Sequence, residues 1–287
     1  MKLISPSIEI WEQTDFSMQG IKKHIEKCGR VCYKSEDKIT DDSYEKFVQM
    51  LIDRGHTAML EHGTVCFELD KGESILCDKF IEKFENNPYS KVKNLYYDLD
   101  NPIERYCKSR ITTNFRVTTD LKMSDDYRFL SEPYLELKRI TVKLVCSRAV
   151  AQQLTRHRKF SFAMESQRYC NYSNKKFDEE ITFVMPRWYE EAKYFDSYKL
   201  NEFDKMLESI EELYMFYISC KMKPQEARAI LPNATKTELV MTGFIEDWEY
   251  LFELRCSDSK LGKPDPETSY LVDKIRKEFI NRLYIKQ

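Results

Sequence analysis

Residues 156–169 gather the most reactive side chains of this chain into one short segment. The segment reads RHRKFSFAMESQRY and contains four Lys or Arg residues, one His and two Ser hydroxyls. Guanidinium groups donate paired hydrogen bonds whose geometry matches phosphate oxygens and planar carbonyl groups. The segment therefore predicts a site for an anionic ligand that contains a ring.

Two other interpretations of this segment stay open from the residues alone. The first is a solvated helix face, although Phe160, Phe162 and Met164 would bury part of such a face. The second is a nucleic-acid surface, where basic and aromatic residues also alternate. The whole chain has a formal net charge of −2, whereas a nucleic-acid-binding domain is usually strongly basic. The charge balance favours a small ligand, and we predict no nucleic-acid partner.

Glycine and cysteine usage exclude several common cofactor sites. The seven glycines form neither a phosphate-binding loop nor a GxGxxG pattern, so side chains must hold any phosphate. The nine scattered cysteines contain no CxxC pair. His56 and His62 flank Glu61 but have no third ligand at useful spacing, so we predict no metal. Reduced thiols and the absence of a secretory pattern or a long apolar run lead us to expect a cytoplasmic protein without a membrane partner.

The spacing Arg-His-Arg, seven residues, Ser, one residue, Arg-Tyr resembles the signature of flavin-dependent thymidylate synthases. We call residues 156–169 the signature segment. The same resemblance extends to residues 56–62, with their His-x-x-x-x-Glu-His pattern, and to the shorter stretch 30–33. It also covers residues 226–232 and the spacing from Pro232 to Arg255. The resemblance spans nearly the whole chain.

The resemblance implies an activity, its cofactor and its partners. It implies reductive methylation of dUMP to dTMP, with methylenetetrahydrofolate as carbon donor, NADPH-reduced FAD as hydride source, and release of tetrahydrofolate. It also implies a homotetramer whose sites are shared between subunits. A flavin- or nucleotide-binding protein without synthase activity is the alternative from another class.

Site residues follow from the resemblance, position by position. The residues expected to bind dUMP are Gln153, Arg156, Glu165, Ser166, Gln167, Arg168, Arg228 and Arg255. The residues expected to bind the cofactor are His56, Glu61, Arg156, His157 and Arg158. Arg255 is the expected catalytic residue, because an adjacent cation favours the N3-deprotonated and more nucleophilic uracil ring. From the residues alone, Arg255 could equally be a helix-terminal charge that suits the helix dipole, and Arg228 an ordinary exposed helix residue.

Several positions depart from the family pattern, mostly on the flavin side. They are Ala58, Met164, Phe244, Glu246, Tyr250 and Ser259. The chain also lacks the Pro-Cys dipeptide that supplies the nucleophile of ordinary thymidylate synthase, and its nearest candidates are Cys170 and Cys256. Neither has an evident activating base nearby in sequence, so we predict carbon transfer without an enzyme thiolate.

The elements that position these residues follow from periodicity, caps and breakers. Helices are expected at 42–54, 73–86, 148–156, 197–219, 224–231, 247–255 and 267–284. Strands are expected at 64–69, 111–117, 140–144, 181–186 and 237–243, with loops and a short helix after 86. Ser147 should cap the helix that delivers the Arg-His-Arg group. The irregular alternation predicts an α+β fold, a central mixed or antiparallel sheet flanked by long helices, in one domain spanning 1–287. A family-variable insertion is expected around 70–138.

Overall fold

A four-stranded antiparallel sheet carries the signature segment, in a computed structural model that describes residues 1–72, 74–98, 105–123 and 129–286. Its strands, in spatial order, are β2 (Ser7–Trp11), β6 (Arg139–Ser147), β9 (Lys236–Phe244) and β7 (Ser161–Met164). The signature segment itself therefore supplies β7, at one edge of this sheet. The α+β prediction with an antiparallel sheet is confirmed.

Helices cover both faces of the sheet, which explains why its central strands, β6 and β9, are buried on both sides. On one face, Leu239 and Met241 of β9 pack in a cluster with Trp248. That cluster includes side chains of α5 (Arg148–Leu154), α9 (Ile245–Arg255) and α10 (Pro266–Asn281). On the other face, Val240 packs with Val31 of α1 (Met18–Tyr33). A one-residue slip would move Leu239 and Met241 into the cluster that holds Val240, and this change of packing opposes a change of register.

A second antiparallel sheet occupies much of the expected insertion. Its strands, in spatial order, are β3 (Thr64–Lys71), β5 (Arg105–Asn114) and β4 (Lys91–Asp98). Beside them lie α2 (Ser43–Asp53), α3 (Ile75–Glu85) and α4 (Phe115–Asp120). Phe67 of β3 contacts Phe80 and Phe84 of α3, with ring centroids 5.2 and 5.7 Å away. These aromatic contacts give this part of the chain its own apolar cluster.

A third group of elements packs around the longest helix. It consists of a parallel pair, β1 (Lys2–Ile4) with β8 (Thr182–Val184), and of α6 (Arg187–Phe195), α7 (Ser197–Ser219) and α8 (Pro224–Ala227). Leu207 and Tyr214 are the buried residues of α7. Within the described part of the chain, no helix is both long and apolar enough to cross a bilayer.

Most of the expected helices are confirmed, including α7 at its predicted bounds. Ser147 caps α5 as predicted, because its hydroxyl accepts a hydrogen bond from the Val150 backbone N–H at 3.3 Å. The strand predicted at 111–117 was wrong in its last residues. Asn114 ends β5 and its side chain accepts from the Val117 N–H at 3.1 Å, which starts α4 instead.

Several elements were missed or misassigned from sequence, among them the strands β1, β2 and β7, none of which was predicted. The short helix expected after residue 86 is instead strand β4, whose pairing with β5 is a long-range property. The sequence analysis also missed α6 and the long helix α1. In α1 the glycines weaken the helical signal, yet a Cβ on Gly29 would come within 2.9 Å of the Phe47 ring. Gly29 therefore lets α1 pack closely on α2.

Candidate functional site

The turn at 165–169 is fixed to two different elements by its backbone. The Glu165 N–H donates to the Glu238 carbonyl of β9 at 2.9 Å, and the Ser166 N–H donates to the Cys32 carbonyl of α1 at 3.1 Å. The Ser166 carbonyl in turn accepts from the N–H groups of Tyr169 and Cys170, both at 3.0 Å. The second half of the signature segment is thus held in one conformation before any ligand binds.

A groove of about 550 Å³ opens above this turn. It lies where the end of α1, the helical turn Thr57–His62 and the signature segment meet. Ser166 and His56, both expected site residues, line it. The Tyr33 hydroxyl is 3.1 Å from Nδ1 of His56, and the Tyr33 and Tyr169 ring centroids are 5.6 Å apart. The structure therefore brings residues 56 and 166 together, although they are far apart in sequence.

A buried ionic network lies beneath the same turn. Lys236 Nζ contacts Glu165 Oε2 at 2.8 Å and Glu238 Oε1 at 2.7 Å. Lys34 and Lys143 also reach Glu238, at 2.7 and 2.8 Å. Burial opposes ionisation of Glu238, but the lysines, Lys236 and Lys34 foremost, outweigh it and hold the pKa of that carboxyl well below its usual range. The network joins α1, β6, β9 and the signature segment through charged groups.

Two of the expected dUMP ligands lie on the inner side of the turn. Glu165 is 1% exposed and its Oε1 has no partner among the described residues, so Lys236 is the partner of its charge. Gln167 is also buried. Ser166 lines the groove, and Arg168 is exposed with its guanidinium 5.6 Å from the Tyr169 ring centroid. A direct ligand role for Glu165 stays a prediction, whereas its contact with Lys236 supports the turn from below.

His157 and Arg255 meet at the end of α9. The Arg255 Nε–H donates to His157 Nε2 at 3.2 Å, which requires that nitrogen to be unprotonated. Burial lowers the pKa of His157, and the charge of Arg255 lowers it further. The neutral imidazole of His157 therefore orients the guanidinium of Arg255. The two residues are 98 positions apart in the sequence.

The remaining expected site residues are dispersed. Arg156 is exposed, and Gln153 of α5 is half-buried. Arg228 is half-buried on the turn Arg228–Ile230 that follows α8. Among the described residues, no ion pair involves Arg156 or Arg228, and Arg228 is not one of the residues that line the groove. Glu61 points its carboxylate at Arg116, with 2.6 Å between Oε1 and the guanidinium.

Arg158 lines a second cavity, of about 340 Å³. The turn between α3 and β4 forms one wall of it, and Phe244 and Glu246 form another. Two of the departures from the family pattern therefore lie in this cavity. Ala58 and Met164 lie in the groove, Tyr250 is exposed, and Ser259 lines a separate surface cavity with Arg276.

A further cluster of potential metal ligands lies just beyond Arg255. The ligand atoms of Cys256, Asp258 and Asp273 lie within 4.8 Å of one another. Arg276 already binds both oxygens of Asp258, at 2.9 and 3.0 Å. The carboxylate of Asp258 is thus satisfied by a guanidinium.

Sequence reasoning missed the charged residues that support or extend the site. They are Lys34, Lys143, Lys236, Arg116 and Arg139. Lys34 and Glu238 are 204 positions apart, and no local pattern reveals such a pair. The one available signal was charge at strand positions: Lys143 and Glu238 interrupt otherwise apolar strands, which indicates that these charges have partners.

The comparison with known sequences agrees with the family resemblance of the signature segment. The sequence model of the family described as "Thymidylate synthase complementing protein" matches residues 16–101 and 128–283. The chain belongs to this family. The unmatched stretch, 102–127, falls inside the expected insertion.

Curated relatives of the chain are named flavin-dependent thymidylate synthases. Those of Pyrococcus furiosus and Pyrococcus horikoshii are 32% and 36% identical over 113 residues, which is 39% of this chain and 44% of each relative. The matched segment thus spans less than half the length of these relatives. A solved UMP/dUMP methylase, PolB from Streptomyces cacaoi bound with 5-Br dUMP, gives a TM-score of 0.47 at 14% identity and covers 98% of this chain and 93% of that chain. That similarity is too low to support an inference about fold or ligand.

Proposed function

We propose that this chain is a flavin-dependent thymidylate synthase that converts dUMP to dTMP, with FAD as cofactor and methylenetetrahydrofolate and NADPH as co-substrates. Family membership and the names of the curated relatives support the reaction class. The observation that carries the proposal is the contact between Arg255 and His157. This contact joins the signature segment to Arg255, the arginine that is expected to be catalytic.

The nucleotide would be held by groups that the fold leaves available. Ser166 offers a hydroxyl in the groove, and Arg168 offers an exposed guanidinium that has no ion pair among the described residues. A phosphate held this way gains charge-assisted hydrogen bonds. Arg255, oriented by neutral His157, would stabilise negative charge that develops at uracil N3 and O4.

The donor set also fits an anionic cofactor. Arg156 and Arg158 are exposed beside the turn that leads into β7, and guanidinium pairs suit a diphosphate group. When bound and reduced by NADPH, FAD would supply the hydride that converts the transferred carbon to a methyl group. The residues of this chain would hold it in place, and burial of His157 would favour the neutral form of that imidazole.

We also propose a homotetramer with shared sites. Arg228 is expected to bind nucleotide phosphate, yet it does not line the groove of its own chain. A second subunit whose Arg228 reaches the Ser166 turn would complete the phosphate site. This arrangement predicts that dUMP binding requires the assembled oligomer.

Tritium release from 5-tritiated dUMP, assayed with methylenetetrahydrofolate, FAD and NADPH, tests the proposed activity. We expect release that requires both the folate and the flavin. A flavin absorption band after incubation with excess FAD tests the cofactor separately. A protein that binds FAD and dUMP but releases no tritium would be the alternative, a flavin- and nucleotide-binding protein without synthase activity.

A further inference from the structure

The insertion contributes one cation to the groove above the turn at 165–169. Arg116, on α4, lines this groove together with Ser166 and His56. Among the described residues that line it, Arg116 is the only Asp, Glu, Lys or Arg. It lies within residues 102–127, the stretch that the family model leaves unmatched. The family resemblance therefore assigns Arg116 no role.

The fold holds α4 firmly beside the groove. The Phe115 N–H, at the start of α4, donates to the Gly63 carbonyl at 2.8 Å. Phe115 is also buried in the apolar cluster that includes Leu60 of the helical turn Thr57–His62. Residues of that turn form another wall of the groove. The position of Arg116 at the groove is thus set by backbone and apolar contacts.

Glu61 holds the guanidinium of Arg116. Its Oε1 accepts a hydrogen bond from Nη1 of Arg116 at 2.6 Å, and this bond raises the pKa of Arg116. The Glu61 side chain is 19% exposed and that of Arg116 is 41% exposed. Glu61 is not one of the residues that line the groove, whereas Arg116 is. Arg116, rather than Glu61, therefore presents its charge to the groove.

The guanidinium of Arg116 retains capacity for a ligand. Its Nε lies 3.6 Å from the exposed carboxylate of Asp120, and its Nη2 makes no hydrogen bond to another described residue. A guanidinium has five N–H donors in a planar fork that matches phosphate and carboxylate oxygens. With one edge fixed on Glu61, another edge is available to an anion in the groove.

We propose that Arg116 is a ligand-binding residue that the insertion supplies, and that Glu61 acts through it by holding its guanidinium toward the groove. The anion is a phosphate, of dUMP or of FAD, so this inference rests on the proposed function. It gives the insertion a role, because α4 completes the groove. It also makes Glu61 a positioning residue instead of a direct ligand of the cofactor.

Calorimetric titration of the full chain with dUMP and with FAD tests the role of Arg116. We expect Arg116→Met to weaken the binding of one of them by roughly tenfold to a hundredfold, as for one charge-assisted hydrogen bond. A loss for dUMP alone assigns the phosphate to the nucleotide, and a loss for FAD alone assigns it to the cofactor. Arg116→Lys should retain part of the affinity, because lysine keeps the charge but not the planar fork.

Ligands without phosphate separate binding from structure. Deoxyuridine and riboflavin should bind equally to wild type and to Arg116→Met. A loss of affinity for these ligands too, together with a lower melting temperature, would mean that the pair with Glu61 is only structural. That outcome would overturn the inference.

A matched control comes from the same insertion. Arg110 of β5 pairs with Glu68 at 2.7 Å, but it is not one of the residues that line the groove. Arg110→Met should leave the affinities for dUMP and FAD unchanged. A loss equal to that of Arg116→Met would show that breaking any ion pair of the insertion has this effect, and would overturn the specific role of Arg116.

Glu61→Gln, alone and combined with Arg116→Met, tests whether Glu61 acts through Arg116. We expect Glu61→Gln to weaken binding in the wild-type chain and to add no loss when Arg116 is already replaced, because residues that act as a unit are not additive. Equal losses in both backgrounds would show that Glu61 contacts the ligand itself, and its positioning role would be wrong.

The proposed function and this inference can be told apart by the same titrations. A wild-type chain that binds neither dUMP nor FAD overturns both. A chain that binds them with affinities that Arg116→Met leaves unchanged overturns only the role of Arg116.

Discussion

The two sides of the turn at 165–169 differ in how their charges are satisfied. On the inner side, Glu165 and Glu238 are buried and in contact with Lys236, and Lys34 and Lys143 complete the network. On the outer side, Arg168 is exposed and has no ion pair among the described residues. One turn of chain thus separates paired charges from available ones.

This difference separates stability from binding. A buried ion pair is sensitive to the loss of either partner, because removing one leaves the other charge desolvated and unpaired. A charge on the surface is solvated, so leaving it unpaired costs little free energy. It is therefore available to a ligand. The inner network should therefore control folding, and the outer cations should control affinity and turnover.

The largest effect should come from breaking the inner network. We expect Lys236→Met to lower the free energy of unfolding by about 3–5 kcal/mol, because Glu165 would be left buried without its charge partner. Guanidinium chloride unfolding measures the loss. Lys22→Met is the matched control. It breaks the partly exposed ion pair between Lys22 and Glu45, whose charged atoms are 2.7 Å apart. It should lower the free energy of unfolding by at most about 1 kcal/mol. Equal losses of stability in the two variants would contradict the distinction between buried and partly exposed ion pairs.

Arg255→Ala should damage turnover more than folding. Loss of the guanidinium leaves charge on the uracil ring unstabilised, at a cost of about 2–4 kcal/mol in the barrier. Tritium release and thermal unfolding measure the two effects. Arg282→Ala serves as control, because Arg282 is another helix-terminal arginine, paired with Glu278 at 3.5 Å. Near-normal turnover would mean that Arg255 only serves the helix dipole.

Arg168→Ala should weaken dUMP binding by about 1.5–3 kcal/mol, the value of a hydrogen bond to a charged group. Stability should change by no more than about 0.5 kcal/mol, as for other surface sites. Calorimetry with dUMP and with deoxyuridine, which lacks the phosphate, separates phosphate contacts from ring contacts. A loss of affinity for both ligands would contradict a role confined to the phosphate.

His157 reports on its contact with Arg255 without any ligand. Burial and Arg255 lower its pKa in the folded chain, so its small contribution to stability is complete above pH 6.5 and declines as the pH falls. We expect Arg255→Ala to raise the pKa of His157, measured by NMR titration. His24 and His62, whose pKa values burial lowers to about 3, should not titrate between pH 5 and 8. An unchanged His157 would show that Arg255 does not act on it.

The smallest effect should come from the cysteines. Burial raises the pKa of Cys170 to about 12 and, with the help of a hydrogen bond to Asp273, that of Cys256 to about 12. Neither thiol is a thiolate at neutral pH. The double variant Cys170→Ser, Cys256→Ser, assayed with saturating FAD, should keep its activity. Loss of several orders of magnitude in a folded, flavin-loaded protein would show that an enzyme thiolate takes part.

The sequence by itself determined much of the local structure. Helical periodicity and caps predicted α7 and α5, including the Ser147 cap, because caps and amphipathic stripes are local signals. The identity of the signature residues, and through it the family, also came from the sequence. The binding roles of the site residues stay predictions, since they rest on ligands rather than on this chain alone.

The tertiary structure decided which side of the turn each residue faces. β7 pairs with β9 so that Met164 lies opposite Leu239, and this register brings the next residue, Glu165, to Glu238 and Lys236. It also brought the turn between α3 and β4 onto the cavity that Arg139 lines. Contacts of this kind join residues tens to hundreds of positions apart. No periodicity or spacing records them, because their energy comes from burial and charge pairing that exist only once the sheets have formed.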